Sequence, residues 1–279
     1  MNKAFQLNSY FYELPESLIA QHPLTKRDLA RLMIVDRKSQ RIYHDLFKNI
    51  HQYLPSKTNF VVNNTKVIPA RLLGSKSDTG GHIEIFLLKE LDNKGSFEAL
   101  LKPLKKIKEG QILDFGKGLK AQLIDKERRI VQFNKKNVLK VIETQGHIPL
   151  PPYIKREDNA SDRKDYQTVY AKNLGSVAAP TAGLHFTNTL VNRLKLQGHQ
   201  FMQLTLHIGY GTFKPVEASD IRSHIMHTEI YEMPNRTHQK ILKFKSQNRP
   251  ICAVGTTSCR VLETIGKGAS LMGETNLFA

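Results

Sequence analysis

The sequence predicts an α/β main domain with an inserted small all-β barrel domain. Between Val67 and His147, short apolar runs are separated by Gly, Asn and Asp, which is typical of closely spaced strands in a small barrel or sandwich. On both sides of this region the pattern returns to longer α/β units. We therefore expect residues 1–66 and 149–279 to form one discontinuous α/β domain, and residues 67–148 to form the barrel.

Local patterns predict the individual elements. In the α/β domain we expect a helix over residues 15–21 that Pro23 ends, a strand over 32–35, a helix over 45–53 and a buried strand over 60–62. In the barrel we expect strands over residues 83–88, 97–101, 119–124, 130–133 and 138–142. Later in the chain, a strand begins at Thr205, and a strand from Pro250 leads into a helix that starts near Gly255.

The charge of the chain indicates a polyanionic partner. Lys and Arg number 42 against 25 Asp and Glu, which leaves a net charge of +17. Twelve of these basic residues fall between residues 100 and 141, against four acidic ones. Such a surface favours nucleic acid through phosphate neutralisation and counterion release. A solvated lysine-rich edge that prevents strand aggregation is the alternative.

Other broad classes find little support in the sequence. The N-terminus does not resemble a secretory signal, and no apolar run approaches the roughly 20 residues that span a bilayer. Cys252 and Cys259 are typical of small buried residues in a reducing compartment. We expect a cytoplasmic protein without membrane contact.

Residues 175–187, GSVAAPTAGLHFT, are almost free of long charged side chains and follow neither helix nor strand periodicity. Gly183 and its small neighbours would let a bound molecule approach the backbone closely, while Ser176, Thr181 and His185 supply polar groups. The segment therefore predicts the wall of a pocket. Tight packing of a small-residue loop under another element is the alternative.

Two further segments have the same character. Residues 205–213 run from a strand through His207 into a turn punctuated by glycine. Gly255, Thr256 and Thr257 stand where a strand passes into a helix, and the free amides there would bind a carboxylate or phosphate. Ordinary helix capping by Thr256, Thr257 or Ser258 is the alternative.

Together these segments resemble the S-adenosylmethionine:tRNA ribosyltransferase-isomerase family of queuosine biosynthesis, and the resemblance spans nearly the whole chain. The motifs that carry it are Tyr12-Glu13-Leu14-Pro15, Ile19-Ala20-Gln21-His22-Pro23, Arg27-Asp28, Ala30-Arg31-Leu32, Asp36-Arg37, Asn63-Asn64-Thr65-Lys66-Val67-Ile68-Pro69-Ala70-Arg71-Leu72, Pro149-Leu150-Pro151-Pro152-Tyr153-Ile154, Tyr166-Gln167-Thr168-Val169-Tyr170-Ala171, residues 175–187, His224-Ile225-Met226-His227-Thr228-Glu229 and Val254-Gly255-Thr256-Thr257-Ser258. The family's Thr-Asn-Phe-His-Leu-Pro motif does not occur before Ala279, so we expect this chain to lack the family's C-terminal segment.

The resemblance implies an α/β domain with an inserted barrel, and an enzyme that is a monomer in the cytoplasm. It implies that the ribosyl part of S-adenosylmethionine moves to 7-aminomethyl-7-deazaguanine at the wobble position of a tRNA anticodon and isomerises. The products are epoxyqueuosine, adenine and methionine. S-adenosylmethionine is consumed as a substrate, and no step demands a metal or a further cofactor.

Side chains in the matching segments are the candidates for this chemistry. For proton transfer we expect His185, in the segment with the fewest charges, then His207, and also Glu229. Arg71 and Arg260 are suited to bidentate contacts with an anion, and Asn63, Asn64 and Thr65 to a base edge or ribose. The full predicted substrate-binding set is Asn63, Asn64, Thr65, Arg71, Ser176, Thr181, Gly183, His224, His227, Gly255, Thr256, Thr257 and Arg260.

Two other classes of function remain open on the sequence alone. His224-x-x-His227-x-Glu229 offers two imidazoles and a carboxylate, the ligand types of a zinc hydrolase, although its spacing is not that of the helical His-Glu-x-x-His motif. The basic inserted region also fits a non-catalytic tRNA-binding module.

Overall fold

The computed structural model describes residues 3–92 and 94–278. The chain divides into two compact units. The first unit contains the chain up to Lys66, Pro151–Arg156 and the chain from Lys164 onward, and the second contains Val67–Leu150 and Glu157–Arg163. The second unit therefore includes residues 157–163, which we expected in the α/β domain.

Strands outnumber α-helices in the described part of the chain. The strands are β1 (Arg31–Asp36), β2 (Arg41–Leu46), β3 (Asn59–Asn63), β4 (Thr65–Val67), β5 (Arg71–Lys76), β6 (His82–Glu90), β7 (Ser96–Lys102), β8 (Ile112–Asp114), β9 (Lys120–Asp125), β10 (Ile130–Phe133), β11 (Asn173–Ser176), β12 (Gln200–Leu206), β13 (Glu229–Glu232), β14 (Ile251–Ala253) and β15 (Met272–Thr275). The α-helices are α1 (Val138–Gln145), α2 (Asp162–Asp165), α3 (Asn188–Leu196), α4 (Asn235–Ser246) and α5 (Gly255–Gly266).

The first unit is built on a five-stranded sheet in the order β14-β3-β12-β13-β15. β3 runs parallel to β12 and β14, and β13 runs antiparallel to both of its neighbours. Every residue of β3 is buried, as expected of a central strand covered on both faces. β1 pairs with β2 and β4 pairs with β11 in two smaller sheets, and β4 ends at Val67, the first residue of the second unit.

Side-chain alternation along β3 divides the core of this unit into two layers. Phe60 and Val62 pack with Phe186 and with Leu190 and Leu194 of α3. Val61 points to the opposite face, where the core contains residues of α4 and α5 such as Phe244 and Val261. Helical layers on both faces of a mixed sheet, whose first three strands are parallel, confirm the predicted α/β class.

The second unit contains a closed barrel with the strand order β10-β7-β6-β5-β8-β9. Its strand pairs are antiparallel. Ile83, Ile85 and Leu87 alternate with more exposed residues along β6, so every second side chain fills the interior. The predicted inserted barrel is confirmed.

Some predicted elements are wrong. Residues 138–142, predicted as a strand, begin helix α1, because Val138 and Ile142 share one buried face at helical spacing. Residues 15–21 contain only a 3-10 turn at Glu16–Leu18, and 45–53 contain a 3-10 helix at Phe47–Gln52 instead of an α-helix. Strands β2, β5 and β8 are among those that the sequence patterns do not predict. Within the described residues, no helix combines the length and apolar character that crossing a membrane requires.

Candidate functional site

Polar residues follow the carboxyl ends of the three parallel strands of the first unit. Thr65 comes shortly after β3, His207 directly after β12, and Gly255 shortly after β14. The parallel register aligns Asn63 with Leu204 and Val61 with Ala253, so these three positions lie along one edge of the sheet. The carboxyl edge of parallel strands is the usual place of ligand sites in open α/β sheets.

His207 is held there by the hydroxyl group of Thr65, which is in turn bonded to the hydroxyl group of Ser176. Thr65 Oγ1 lies 2.9 Å from His207 Nδ1 and 2.8 Å from Ser176 Oγ, which accepts a hydrogen bond from the amide of Ile208 (2.8 Å). The hydroxyl protons can run along this chain in either direction, so it can support either neutral tautomer of the imidazole. In both cases Nε2 remains the nitrogen available to a ligand.

The environment of His207 keeps its ring neutral. Burial lowers the pKa of His207 below its usual value, and the nearby charge of Glu232 opposes this shift. Gly175 fits against the ring with φ +147°, where an added Cβ would lie 2.7 Å from Nδ1 and Cε1. A larger residue at 175 would therefore displace the imidazole as well as strain the backbone.

The predicted residues Asn63 and Asn64 form the support beneath this histidine. Asn63 Nδ2 donates to the carbonyl of Leu206 (2.9 Å), and its Oδ1 accepts from the amides of Leu206 (3.0 Å) and Thr65 (3.1 Å). Asn64 Oδ1 accepts from Thr205 Oγ1 at 2.8 Å. Both asparagines are buried, so their amides fix the end of β12 and do not face solvent.

A cavity of about 520 Å³ opens beside His207. Its lining consists of Asn173, Thr205, His207, Ile230, Tyr231, Glu232, Met272, Gly273 and Glu274. Of the predicted site residues, His207 alone is in this lining. Sequence reasoning missed the other eight because β13 and β15 supply most of them, and only the strand register brings them to His207.

The segment 175–187 is packed more tightly than a pocket wall. The phenol of Tyr170 occupies the space next to Gly183, where a Cβ would collide with its hydroxyl oxygen. Val177, Ala178 and Ala179 are buried. The approach of a substrate to Gly183 stays a prediction, and in this structure the side chain of Tyr170 fills that space.

His185 lies apart from this packing. Its ring is exposed, 5.4 Å from the ring of Phe47 in a tilted contact, and has no hydrogen-bond partner within the part of the chain that the structure describes. Partial burial of the ring lowers the pKa of His185, and the charge of Arg27 adds to this shift. His185 is therefore a neutral but unanchored imidazole, whereas His207 is anchored.

The start of α5 has amide and hydroxyl groups that could donate hydrogen bonds to a ligand. Val254 precedes the helix and makes no side-chain cap, so the capping alternative for Thr256, Thr257 and Ser258 is not observed. The hydroxyl oxygens of Thr257 and Ser258 are buried and have no partner among the described residues. A Cβ on Gly255, whose φ is +82°, would lie 3.2 Å from Ala182, so the loop that carries Thr181 adjoins this helix start.

Glu229 and Arg260 form a buried ion pair. Their side chains are only 4% and 7% exposed, and Arg260 Nη1 donates to Glu229 Oε2. Glu229 Oε1 accepts from the amide of Gly209 (3.0 Å), so both oxygens have protein donors. Burial raises the pKa of Glu229 and Arg260 opposes the shift. This geometry fits support of the turn after β12 better than proton transfer to a substrate, so the catalytic role of Glu229 stays a prediction.

The two other histidines of the predicted zinc pattern have separate surroundings. The ring of His224 lies 5.6 Å from that of Phe278, and the ring of His227 covers Gly211. In residues 3–92 and 94–278, no three His, Cys, Asp or Glu side chains group as metal ligands. The structure therefore gives no support to the hydrolase alternative.

Arg71 belongs to the second unit. It forms an ion pair with Glu84, with Nε 3.2 Å from Oε1. Its predicted role as an anion ligand stays a prediction, since its guanidinium already has a carboxylate partner.

The same unit presents a lysine-rich loop, residues 104–108. Ile107 is fully buried and anchors the loop, while Lys105, Lys106 and Lys108 are exposed. Lys126 Nζ donates to the carbonyl of Ile107 (2.7 Å), which adds another cation beside it.

Comparisons with known proteins give one consistent result. Residues 7–279 match the model of a family described as queuosine biosynthesis protein. The chain is similar to the S-adenosylmethionine:tRNA ribosyltransferase-isomerase of Natranaerobius thermophilus, at 45% identity over 98% of this chain and 82% of that protein. A Sulfurihydrogenibium protein with that name is 42% identical over the same shares. A solved S-adenosylmethionine tRNA ribosyltransferase from Thermotoga maritima is 32% identical, with a TM-score of 0.46, and the match covers 98% of this chain and 78% of that one.

Proposed function

Because this chain belongs to the queuosine biosynthesis protein family, we propose that it is an S-adenosylmethionine:tRNA ribosyltransferase-isomerase. It transfers the ribosyl part of S-adenosylmethionine to 7-aminomethyl-7-deazaguanine in a tRNA anticodon and isomerises it, giving epoxyqueuosine, adenine and methionine. The observation that carries this proposal is identity of 42–45% to two relatives with that name, over 98% of the chain.

The chemistry places definite demands on the site. The sulfonium acidifies the adjacent C5′ protons of the donor, so a positioned neutral base can start the reaction. Adenine needs a proton or electron withdrawal to leave, and the amine of the acceptor base must be neutral to attack. A site that excludes water would strengthen each of these electrostatic effects.

We assign the base to His207 in preference to His185. The lowered pKa keeps the imidazole of His207 neutral, Thr65 fixes its Nδ1, and its ring borders the cavity. With Nδ1–H donated to Thr65, Nε2 is free to accept a proton. His185 has the lowered pKa without the fixed orientation, and orientation is what general-base catalysis requires.

The start of α5 is the proposed anchor for an anionic group of the substrates, a carboxylate or a phosphate. Free amides at a helix N-terminus attract an anion, and the uncapped Gly255 and unpartnered Thr257 hydroxyl supply donors at the same sheet edge as His207.

The lysine-rich loop is the proposed contact to the tRNA backbone. Replacing Lys105, Lys106 and Lys108 with alanine should weaken tRNA binding about tenfold at low salt. It should also make the slope of log K against log salt less steep by about 2, because each phosphate contact that is lost lowers the number of counterions released on binding. Filter binding or fluorescence anisotropy at several salt concentrations measures both quantities.

A matched control removes three exposed lysines elsewhere, Lys243, Lys245 and Lys267. That variant should keep nearly the full salt slope. An equal loss in both variants would mean that the lysine-rich loop contributes only to net charge, and unchanged binding in the loop variant would rule the contact out.

Incubation of the protein with S-adenosylmethionine and tRNA that bears the precursor base tests the proposed function directly. Nucleoside mass analysis should detect epoxyqueuosine, together with released adenine and methionine. Binding of tRNA without any product would instead favour the alternative of a non-catalytic tRNA-binding module, to which the basic barrel is suited.

A further inference from the structure

The register of three strands places two carboxylates on the cavity side of the sheet. Glu232 of β13 is paired with Thr205 of β12 and with Met272 of β15, and Ile230 is paired with Glu274. The amide of His207 donates to the carbonyl of Ile230 (2.9 Å). Because side chains alternate along a strand, these residues share one face, and they all line the cavity.

Glu232 and Glu274 are diagonal neighbours on that face. Diagonal positions in an antiparallel pair lie about 7–8 Å apart, close enough for two carboxylates to repel each other. Neither carboxylate has a hydrogen-bond or ion-pair partner in the part of the chain that the structure describes. Two unpaired acids facing one cavity favour a cation between them.

The contrast with the rest of the chain strengthens this interpretation. The chain has a net charge of +17, yet the lining of this cavity contains two glutamates and neither lysine nor arginine. A polyanion such as the tRNA backbone would be repelled by these carboxylates. The cavity therefore differs in its electrostatics from the lysine-rich loop that we assign to tRNA.

The apolar members of the lining specify the kind of cation. Met272 and Ile230 are exposed in the cavity beside the two glutamates. A hard metal ion would gain from the carboxylates but not from the apolar side chains, because it binds oxygen ligands and water. A soft cation that carries alkyl groups would gain from both the charge and the apolar contacts, and about 520 Å³ lies within the normal range for small-molecule sites.

We propose that Glu232 and Glu274 bind the sulfonium centre of the donor and make this cavity selective for it. The assignment rests on the proposed function, and it places the reactive sulfur and its C5′ neighbour beside His207. The floor of the site would then be Thr205, whose hydroxyl accepts from Asn173 Nδ2 (2.8 Å) and donates to Asn64 (2.8 Å).

The test compares two ligands that differ at the sulfur. S-adenosylmethionine carries the sulfonium, whereas S-adenosylhomocysteine has a neutral thioether and keeps the carboxylate and ammonium. In the variant Glu232→Gln with Glu274→Gln, calorimetry should show S-adenosylmethionine affinity falling about tenfold, as expected for two partly exposed charge pairs. Affinity for S-adenosylhomocysteine should change less than about twofold.

Glu263→Gln is the matched control, because Glu263 is exposed on α5 and does not line the cavity. It should leave both affinities unchanged. Both mutated glutamates of the cavity are exposed, so the thermal midpoint of the double variant should equal that of the wild type.

Equal losses for both ligands, or no loss for either, would overturn the sulfonium assignment. If the wild type makes product while the double variant keeps the full preference for S-adenosylmethionine, only this inference fails. A wild-type protein that neither binds S-adenosylmethionine nor makes product would overturn the proposed function as well.

Discussion

Replacing His207 with asparagine is expected to lower turnover at least about 100-fold, because positioned general bases contribute factors of this order. Asparagine can still bond to Thr65 from the position of Nδ1, so the hydroxyl chain to Ser176 is kept while Nε2 is lost. Affinity for S-adenosylmethionine and tRNA should change less than about threefold, since the variant removes one nitrogen without changing charge. Single-turnover kinetics with saturating substrates measure the effect.

The dependence of turnover on pH gives a second readout of the same variant. Burial lowers the folded-state pKa of His207 below its usual value of 6.5, so the ring is neutral above that pH and becomes protonated only in more acidic solution. Protonation of the acceptor amine affects the wild type and His207→Asn alike, so the ratio of their turnovers isolates the base. This ratio should stay nearly constant above pH 6.5 and fall in more acidic solution as His207 is protonated.

His185→Asn is the matched histidine control. The structure shows an exposed ring without a fixed orientation, so we expect a loss of less than about tenfold, smaller than a positioned base contributes. A larger loss in His185→Asn than in His207→Asn would contradict the assignment and favour the ranking that the sequence suggested.

Replacing Arg260 with leucine is expected to destabilise the fold by about 3–5 kcal/mol, because it leaves the buried Glu229 carboxylate without its partner. The guanidinium also donates to the carbonyls of Leu277 (2.8 Å) and Thr275 (3.1 Å). It therefore fixes the end of β15, which supplies one wall of the cavity. Urea denaturation followed by circular dichroism measures the loss.

The double variant Glu229→Leu with Arg260→Leu separates two causes of the lost stability, the unpaired buried charge of Glu229 and the lost contacts of Arg260. It should be more stable than Arg260→Leu alone, because no charge remains buried. A loss of less than about 1 kcal/mol for Arg260→Leu would mean that solvent reaches Glu229 and that the pair does not hold this end of the sheet.

The sequence was informative where local pattern and burial agree. Alternating apolar residues such as Ile83 and Ile85 predicted barrel strands, and the fully apolar Phe60–Val62 segment predicted a central strand. Residues 138–142 were predicted wrongly because a short apolar run fits the periodicity of a strand and of a helix equally well. In the structure Val138 and Ile142 are buried together on one side of a helix. Strand β8 has only three residues, too few for a pattern to show.

The candidate site was only partly predictable for a related reason. His207, Thr65 and Ser176 stand in motifs, and the structure brings them within hydrogen-bonding distance. Glu232 and Glu274 stand in no motif, and only the pairing of β13 with β15 unites them.

Glycines show what the sequence pattern leaves open. Gly183 indicates close approach, and in the structure the side chain of Tyr170 approaches it. Gly175 and Gly211 are likewise covered by His207 and His227. Sequence pattern shows that a position must be small, but it does not show whether a ligand or a side chain takes the space.

A crystal structure of the protein with S-adenosylmethionine bound would test the proposed donor site and its base together. We predict the sulfonium in the cavity between Glu232 and Glu274, with C5′ about 3–3.5 Å from Nε2 of His207, the separation of a reactive complex. Density for the donor outside this cavity, with His207 free of contact, would contradict both assignments.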